Sequence, residues 1–430
     1  MKKNTIFELK DFLILWSTQS FSQLGSAMTA YALTLWLYDK TGSALSTAAL
    51  TICSYAPYVL MSVFASALTD RLNKKKVMLA CDSLAALCTL AVFALHRTGR
   101  LAVGHLYLLT AVSGLMNTVQ QPASDVAMTL IVPKARYQQA SGLRSLSRSL
   151  ITILNPPLAA ALYSFGRLEL VIAADLGSFA AAFLALLPIR LPRQAAPKKE
   201  RLWTLARDGL SFLRRNPLLL TLILFMAGVN LMASIFDAAL PAYVLSNPRG
   251  GARVYGLVAS CSGIAMVFGS LLAALLPAPK DRVRAIYLTA LVSLGAENLL
   301  LAFARAPWLW CAAQLIGWLP VPVMDANLDV ILRASIPVDL QGRVYACRNA
   351  LQFFTIPVGL FLGGAAVDRV FEPLMAACPD ASPLHILFGG GKGSGAAMLL
   401  GLLGATSVLL CLAAGRRLKK YRYHKQAPLP

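Results

Sequence analysis

The stretch ALTDRLNKKKVML, residues 67–79, breaks two apolar runs with one acid and a cluster of bases. Each flanking run is on the order of 20 residues, the length a helix needs to cross a bilayer core of about 30 Å. A charged hairpin between two such helices stays in water. Bases held there mark the cytoplasmic side, because translocating Lys and Arg is disfavoured. Asn73 tolerates left-handed dihedrals, so it is the residue expected to turn the chain. Asp70 is unexplained by that rule, which counts only bases. A carboxylate at this place can instead accept from exposed amides at the N-terminus of a neighbouring helix.

The same alternation runs through the whole chain. Its 430 residues are 57% hydrophobic and 14% charged, with a mean hydropathy of +0.63, whereas a soluble domain carries about 25% charged residues. Twelve apolar spans are expected at 12–38, 44–69, 77–95, 105–130, 138–164, 168–190, 218–245, 254–276, 284–304, 308–332, 343–370 and 395–414. The first is too long for a signal-peptide core and is followed by no small-residue cleavage site, so it reads as a retained span. With this assignment 28 of the 40 Lys and Arg fall in even-numbered loops, at the span edges that bound them and at the termini. Both termini are therefore expected in the cytoplasm of a multi-pass protein of the cell membrane. The net charge of +21 is a topology signal, which argues against nucleic acid as a partner. The eight cysteines are scattered among apolar spans, apart from Cys378 in an outside loop, and read as packing residues without zinc spacing.

The basic segment at 191–217 divides six spans from six. The expected domains are thus 1–190, a linker at 191–217, and 218–430 with a basic tail. Within the linker, ERLWTLARDGLSFLRR has apolar residues at helical spacing, which suits either the inner membrane surface or an ordinary connection. A shift of 204 residues places Asp125 on Asp329, Val126 on Val330, Pro133 on Pro337 and Arg144 on Arg348. Both copies occupy the turn between the fourth and fifth spans of their half. Parallel halves around a midplane cavity are one architecture of secondary transporters.

The hairpin resembles the loop signature of the major facilitator superfamily, in which Gly, three residues, Asp, Arg, one residue and Gly precede two or more bases. Asp70, Arg71, Lys74 and Lys75 match it, while Ser66 and Asn73 stand where that pattern has glycine. The stretches YDKTGSALS, PPLAAALY and QGRVYACRNALQFFTIPVGLFLGGAAVDRVFEP are similar to the macrolide-efflux branch of drug:proton antiporters, with siderophore exporters as near relatives. The resemblance implies an all-α membrane fold of two six-helix, pseudo-symmetric halves. It implies that Asp70 latches the inner side, that the loop bases pair with Asp125, and that spans one, four, seven and ten line the cavity. The expected function is export of amphipathic small molecules in exchange for protons by a monomer in the lipid bilayer. Export of a siderophore, peptide or lysolipid is the alternative, and a non-transporting sensor is a third.

Ionisable groups inside spans are costly and mark functional candidates. Asp125 with Arg144 and Asp329 with Arg348 lie at equal depths on paired helices and read as ion pairs near the inner mouth. Asp325, one helical turn deeper than Asp329, has no base at a matching depth in its half, and ionising such an acid in a low dielectric is expensive. It leads the proton-coupling candidates, followed by Asp237 on span seven and Glu297 on span nine. The resemblance makes span nine peripheral, along with the spans holding Asp82 and Asp175, which read as packing or interface residues. Gln19, Gln23, Asn117, Gln120, Gln121 and Asn230 are the polar candidates for the cavity wall. Pro156 and Pro157 are expected to bend span five. The loop GGGKGSG, 389–395, lacks the Ser or Thr that a phosphate loop places after its lysine. No nucleophile elbow or metal cluster is present in the spans, so neither an enzyme, nor a cofactor, nor a metal is expected.

Overall fold

The computed structural model describes residues 10–71, 73–133, 136–189, 202–379 and 382–418. The side chains of residues 62–71 and of Asp125 lie outside the described residues, and with them the expectations for Asp70, Arg71 and Asp125. Every element among the described residues is helical. In chain order these are α1 (Lys10–Thr41), α2 (Ala44–Arg71), α3 (Lys74–Arg97), α4 (Val103–Ile131), α5 (Tyr137–Leu186), α6 (Leu202–Arg215), α7 (Pro217–Ser246), α8 (Ala252–Leu275), α9 (Arg282–Ala290), α10 (Glu297–Phe303), α11 (Pro307–Trp318), α12 (Val321–Ser335), α13 (Val338–Phe353), α14 (Thr355–Ala366), α15 (Glu372–Ala377), α16 (Pro383–Phe388) and α17 (Ser394–Leu418). Two π-helical turns, Leu291–Ala296 and Val367–Phe371, join α9 to α10 and α14 to α15.

Nine helical stretches among the described residues are long and apolar enough to cross a membrane. One of them, Gly142–Leu186, contains a break and accounts for the two spans expected on either side of residue 166. The break lies at Gly166 and Arg167, whose dihedrals are non-helical, with φ of 50° at Arg167. Pro156 and Pro157 sit upstream of this break, inside helical backbone. α1 and α4 are not among the nine, and they carry five of the six amide candidates.

The contacts group the chain into two units, Met1–Thr41 with Ala49–Lys199, and Gly42–Ala48 with Glu200–Pro430. In the first unit α1 lies along α5, and α3 lies against α4. Its apolar core comes in two clusters. One gathers Phe12, Leu15, Met78, Ala127 and Leu186, and the other gathers Leu37, Val92, Leu106, Leu168 and Ile172. On α1, α3, α4 and α5 the stretch between the clusters is rich in Ser, Thr, Asn and Asp. Polar groups are thus concentrated in a layer between two apolar ones.

In the second unit the core runs through α7, α9 and α12, with Leu222, Ile223, Ile286, Leu328 and Ile331 fully buried. Gly359 and Gly363 let α14 approach α7 closely, since a Cβ at either position would come within 2.7 Å of a backbone oxygen of Leu231 or Ile235. Small residues four apart are the usual route to such contact between membrane helices, where packing rather than hydrophobic burial drives association. The amphipathic linker segment forms α6 and packs on α13. Leu213 is fully buried, and a Cβ at Gly209 would meet the Arg343 carbonyl at 2.5 Å. The described part of the apolar face of α6, at Gly209 and Leu213, is therefore covered by protein.

Asn73 also departs from expectation. Its backbone is extended, at φ −65° and ψ 113°, and its side chain accepts from Lys76 N–H to cap α3. A short side chain that satisfies an orphan amide of the first turn explains why an asparagine stands here.

Candidate functional site

The polar layer of the first unit is organised around two carboxylates that the sequence assigns to packing. On α5, Asp175 is 4% exposed; it accepts from Ser26 Oγ at 3.0 Å and from Thr29 Oγ1 at 2.9 Å. The two donors are on α1, which comes this close because Gly25 has no side chain. A Cβ there would lie 2.9 Å from Asp175 Cα. On α3, Asp82 accepts from Gln19 Nε2 at 3.4 Å, and Gln19 Oε1 in turn accepts from Gln120 Nε2 at 3.4 Å. Gln19 and Gln120 are buried and serve Asp82, so two of the cavity-wall amides act as hydrogen-bond partners of an acid. Asn117 lines a cavity of about 320 Å³ together with Asp82 and Asp175. Gln23 and Gln121 are exposed, and neither lines this cavity.

Three acids were singled out in the second unit. Glu297 begins α10 directly after the π-helical turn Leu291–Ala296. Such a turn inserts an extra residue and re-aims the side chains that follow. Glu297 is 3% exposed, and its Oε1 has no hydrogen-bond partner. Its carboxyl lies against the backbone of α11 at Gly317, in space that any Cβ there would occupy. Asn298 Oδ1 and Gln314 Nε2, equally buried, are also without partners. Asp237 on α7 is an electrostatic neighbour of Glu297 and of Tyr255. Among the described residues neither Asp237 nor Glu297 has an ion pair with a base.

Asp325 behaves differently from its sequence expectation. It is accessible, and the Arg348 guanidinium is among its electrostatic neighbours, together with Asp329. The isolation inferred from helix depth fails because the long side chain of Arg348 reaches across helices. Asp329 pairs with Arg348 at 3.8 Å, as the repeat suggests, and more closely with Arg333 at 3.1 Å, one turn along α12. The carboxyl is 43% exposed, so these pairs contribute on the order of 1 kcal/mol or less. Arg348 also donates to Gln352 Oε1 at 3.1 Å. Asn230 donates to the Gln352 carbonyl at 3.3 Å. Arg144 is half-buried on α5.

The described bases of the signature hairpin do structural work. Lys75 Nζ donates to the carbonyls of Leu187 at 2.6 Å and Ile189 at 2.9 Å, just beyond the end of α5. A cation there meets both the unpaired carbonyls and the negative end of the helix dipole. Lys74 is buried.

A second carboxylate pair, absent from the sequence expectations, lies on the π-helical turn Val367–Phe371 and on α15. Asp368 accepts from Ser43 Oγ at 2.6 Å, Ala44 N at 3.0 Å and Leu45 N at 2.9 Å. Ser43 Oγ itself accepts from Ser46 N. The exposed amides at the start of α2 are thus satisfied, two of them by an acid 324 residues away. One turn later, Glu372 Oε1 accepts from Gly393 N at 3.0 Å and Ala396 N at 3.2 Å. Gly389, Gly391 and Gly393 all have positive φ. The glycine-rich loop therefore presents its Gly393 amide to an internal carboxylate, which also takes the Ala396 amide at the start of α17.

The family model for the Major Facilitator Superfamily matches residues 15–250. The macrolide efflux protein A of Streptococcus pyogenes is 24% identical over 382 residues, covering 86% of this chain and 92% of that protein. The multidrug efflux pump Tap of Mycolicibacterium fortuitum is 24% identical over 357 residues, covering 80% and 86%. Among solved structures, the nucleoside transporter NupG superposes with a TM-score of 0.72 at 13% identity, over 95% of this chain and 99% of that one. A bacterial homologue of the human lysosomal transporter Spinster, in an inward-facing, unoccupied conformation, gives 0.68 at 13%. With apolar helices throughout and a family match over more than half its length, the chain belongs to the major facilitator superfamily of membrane transporters.

Proposed function

We propose that this transporter exports amphipathic small molecules of the macrolide class, in exchange for protons, as a twelve-span monomer with both termini in the cytoplasm. Similarity to two efflux proteins over most of the chain supports the direction and the substrate class. The distribution of bases supports the orientation. The boundaries 1–190, 191–217 and 218–430 belong to the same proposal, with Asp70, Arg71, Asp125 and Arg144 acting at the inner gate.

The observation that carries the coupling is the Asp237–Glu297 neighbourhood. Glu297 is buried and Asp237 accessible; as electrostatic neighbours without a base beside them, the two carboxyls are held at lower cost with one proton between them than with both charged. A proton arriving from outside can reside on the pair and leave towards the inside when access changes. Asp325, with Arg348 beside it, then serves the substrate path rather than the proton path. The test is uptake of a macrolide into proteoliposomes under an imposed pH gradient, beside an anionic siderophore, a peptide and a lysolipid. Gradient-dependent macrolide movement that is lost in Glu297→Gln, while binding persists, is the expected result. Wild-type, gradient-dependent movement in that variant overturns the coupling assignment, and movement of another panel member alone overturns the substrate class.

A further inference from the structure

We propose that the polar pocket inside the first unit is a binding site for one small organic monocation, anchored at Asp82 and backed by Asp175. The proposal goes beyond the export reading: the pocket is a separate site for a different class of ligand, and its test does not depend on transport.

The cavity has about 320 Å³, at the low end of the roughly 300–1,000 Å³ typical of ligand pockets. That suits a small aromatic or aliphatic ammonium and excludes a macrocycle. Among the described residues its lining includes two carboxylates and no Lys, Arg or His. Between them the wall is set with hydroxyls, such as Ser22, Thr51, Ser54, Thr89 and Ser113, and with the Asn117 amide. Leu33, Leu50, Val92, Leu176 and Phe179 complete it with apolar surface. The two core clusters flank it along the helices: α1, α3, α4 and α5 contribute to both clusters and to the cavity wall, and α2 adds Leu50, Thr51, Ser54 and Tyr55.

The charge balance decides the class of ligand. Removing a carboxylate from water without a counter-charge costs several kcal/mol, and no base is supplied here. Each oxygen of Asp175 already accepts a hydroxyl, which makes it a held background charge. Asp82 is engaged more loosely, through a 3.4 Å contact to Gln19, and remains the acceptor for an incoming cation. A bare metal ion is a poor fit. Such ions take about six or more oxygens at short range, whereas this wall is broad and partly apolar. An ammonium with an organic body satisfies the carboxylate, the hydroxyls and the apolar wall together, with Phe179 as a face for cation–π contact.

The experiment uses the purified full-length protein in detergent and two probes of one shape, benzyltrimethylammonium and its uncharged carbon isostere neopentylbenzene. Equilibrium dialysis of the labelled cation is expected to give one site per chain, with no competition from the isostere. Asp82→Asn, nearly isosteric, should weaken binding at least tenfold. Ala86→Phe fills the cavity while keeping both acids and should abolish binding, which covers the case that Asp82→Asn fails to fold. Equal binding of cation and isostere, or wild-type affinity in either folded variant, overturns the proposal. Because binding is read without a gradient, a failure of transport leaves this result intact and counts against the export reading alone.

Discussion

Replacing Asp368 with Ala tests whether one carboxylate holds the start of α2. The side chain receives two backbone amides and one hydroxyl within 3.0 Å. Losing an acceptor at a helix N-terminus costs about 1 kcal/mol, and losing the negative charge at the positive end of the dipole costs about 0.5 kcal/mol more. Three such acceptor contacts and the charge come to about 3.5 kcal/mol, or a factor of about 300 in the local opening equilibrium. Hydrogen exchange of the 43–48 segment should accelerate by that order in Asp368→Ala. Asp368→Asn keeps one acceptor oxygen and should fall between. Gly364→Ala should loosen the same segment by another route, because its Cβ would lie 2.7 Å from Leu45 Cα. Glu372→Gln is the spatial control: it should loosen 393–396 and leave 43–48 protected. Exchange in 43–48 unchanged within a factor of two in Asp368→Ala would refute the reasoning.

Two further substitutions probe the loop signature and the buried acid. Lys75→Met removes two charge-assisted bonds to the carbonyls of Leu187 and Ile189, so a loss of about 2 kcal/mol is expected; a lowered melting midpoint with recovery in Lys75→Arg checks it, and an unchanged midpoint contradicts it. Gly317→Ala places a methyl where the Glu297 carboxyl lies, so the variant should lose about 2 kcal/mol or more through overpacking; adding Glu297→Ala should restore thermal stability but not gradient-driven transport.

Much of this architecture was legible from composition alone. Runs of apolar residues long enough for a bilayer can be satisfied only as helices, because backbone groups in lipid must bond within their own segment. The same reason leads to the expectation that the hairpin at 67–79 and the bases at 191–217 face water, since charge is costly in lipid. The Asp329–Arg348 pair was visible through the repeat, and the burial of Glu297 through its position inside a span.

What only the tertiary structure decided are contacts between residues far apart in the chain. Asp82 and Asp175 looked like packing or interface residues because each span was read alone; the cavity they line exists only where α1 to α5 meet, with Gly25 admitting α1 close to Asp175. Asp325 looked isolated because depth along a helix says nothing of how far the Arg348 side chain reaches across to it. Asp368 and Glu372 gave no local signal, since a carboxylate that caps a distant helix is indistinguishable in sequence from one that faces water. The amphipathic pattern of α6 specified an apolar face but not its cover, which packing against α13 supplies. Hydropathy is a property of each segment by itself, whereas hydrogen-bond partners and cavities belong to pairs of segments, and chain order does not encode which pairs meet.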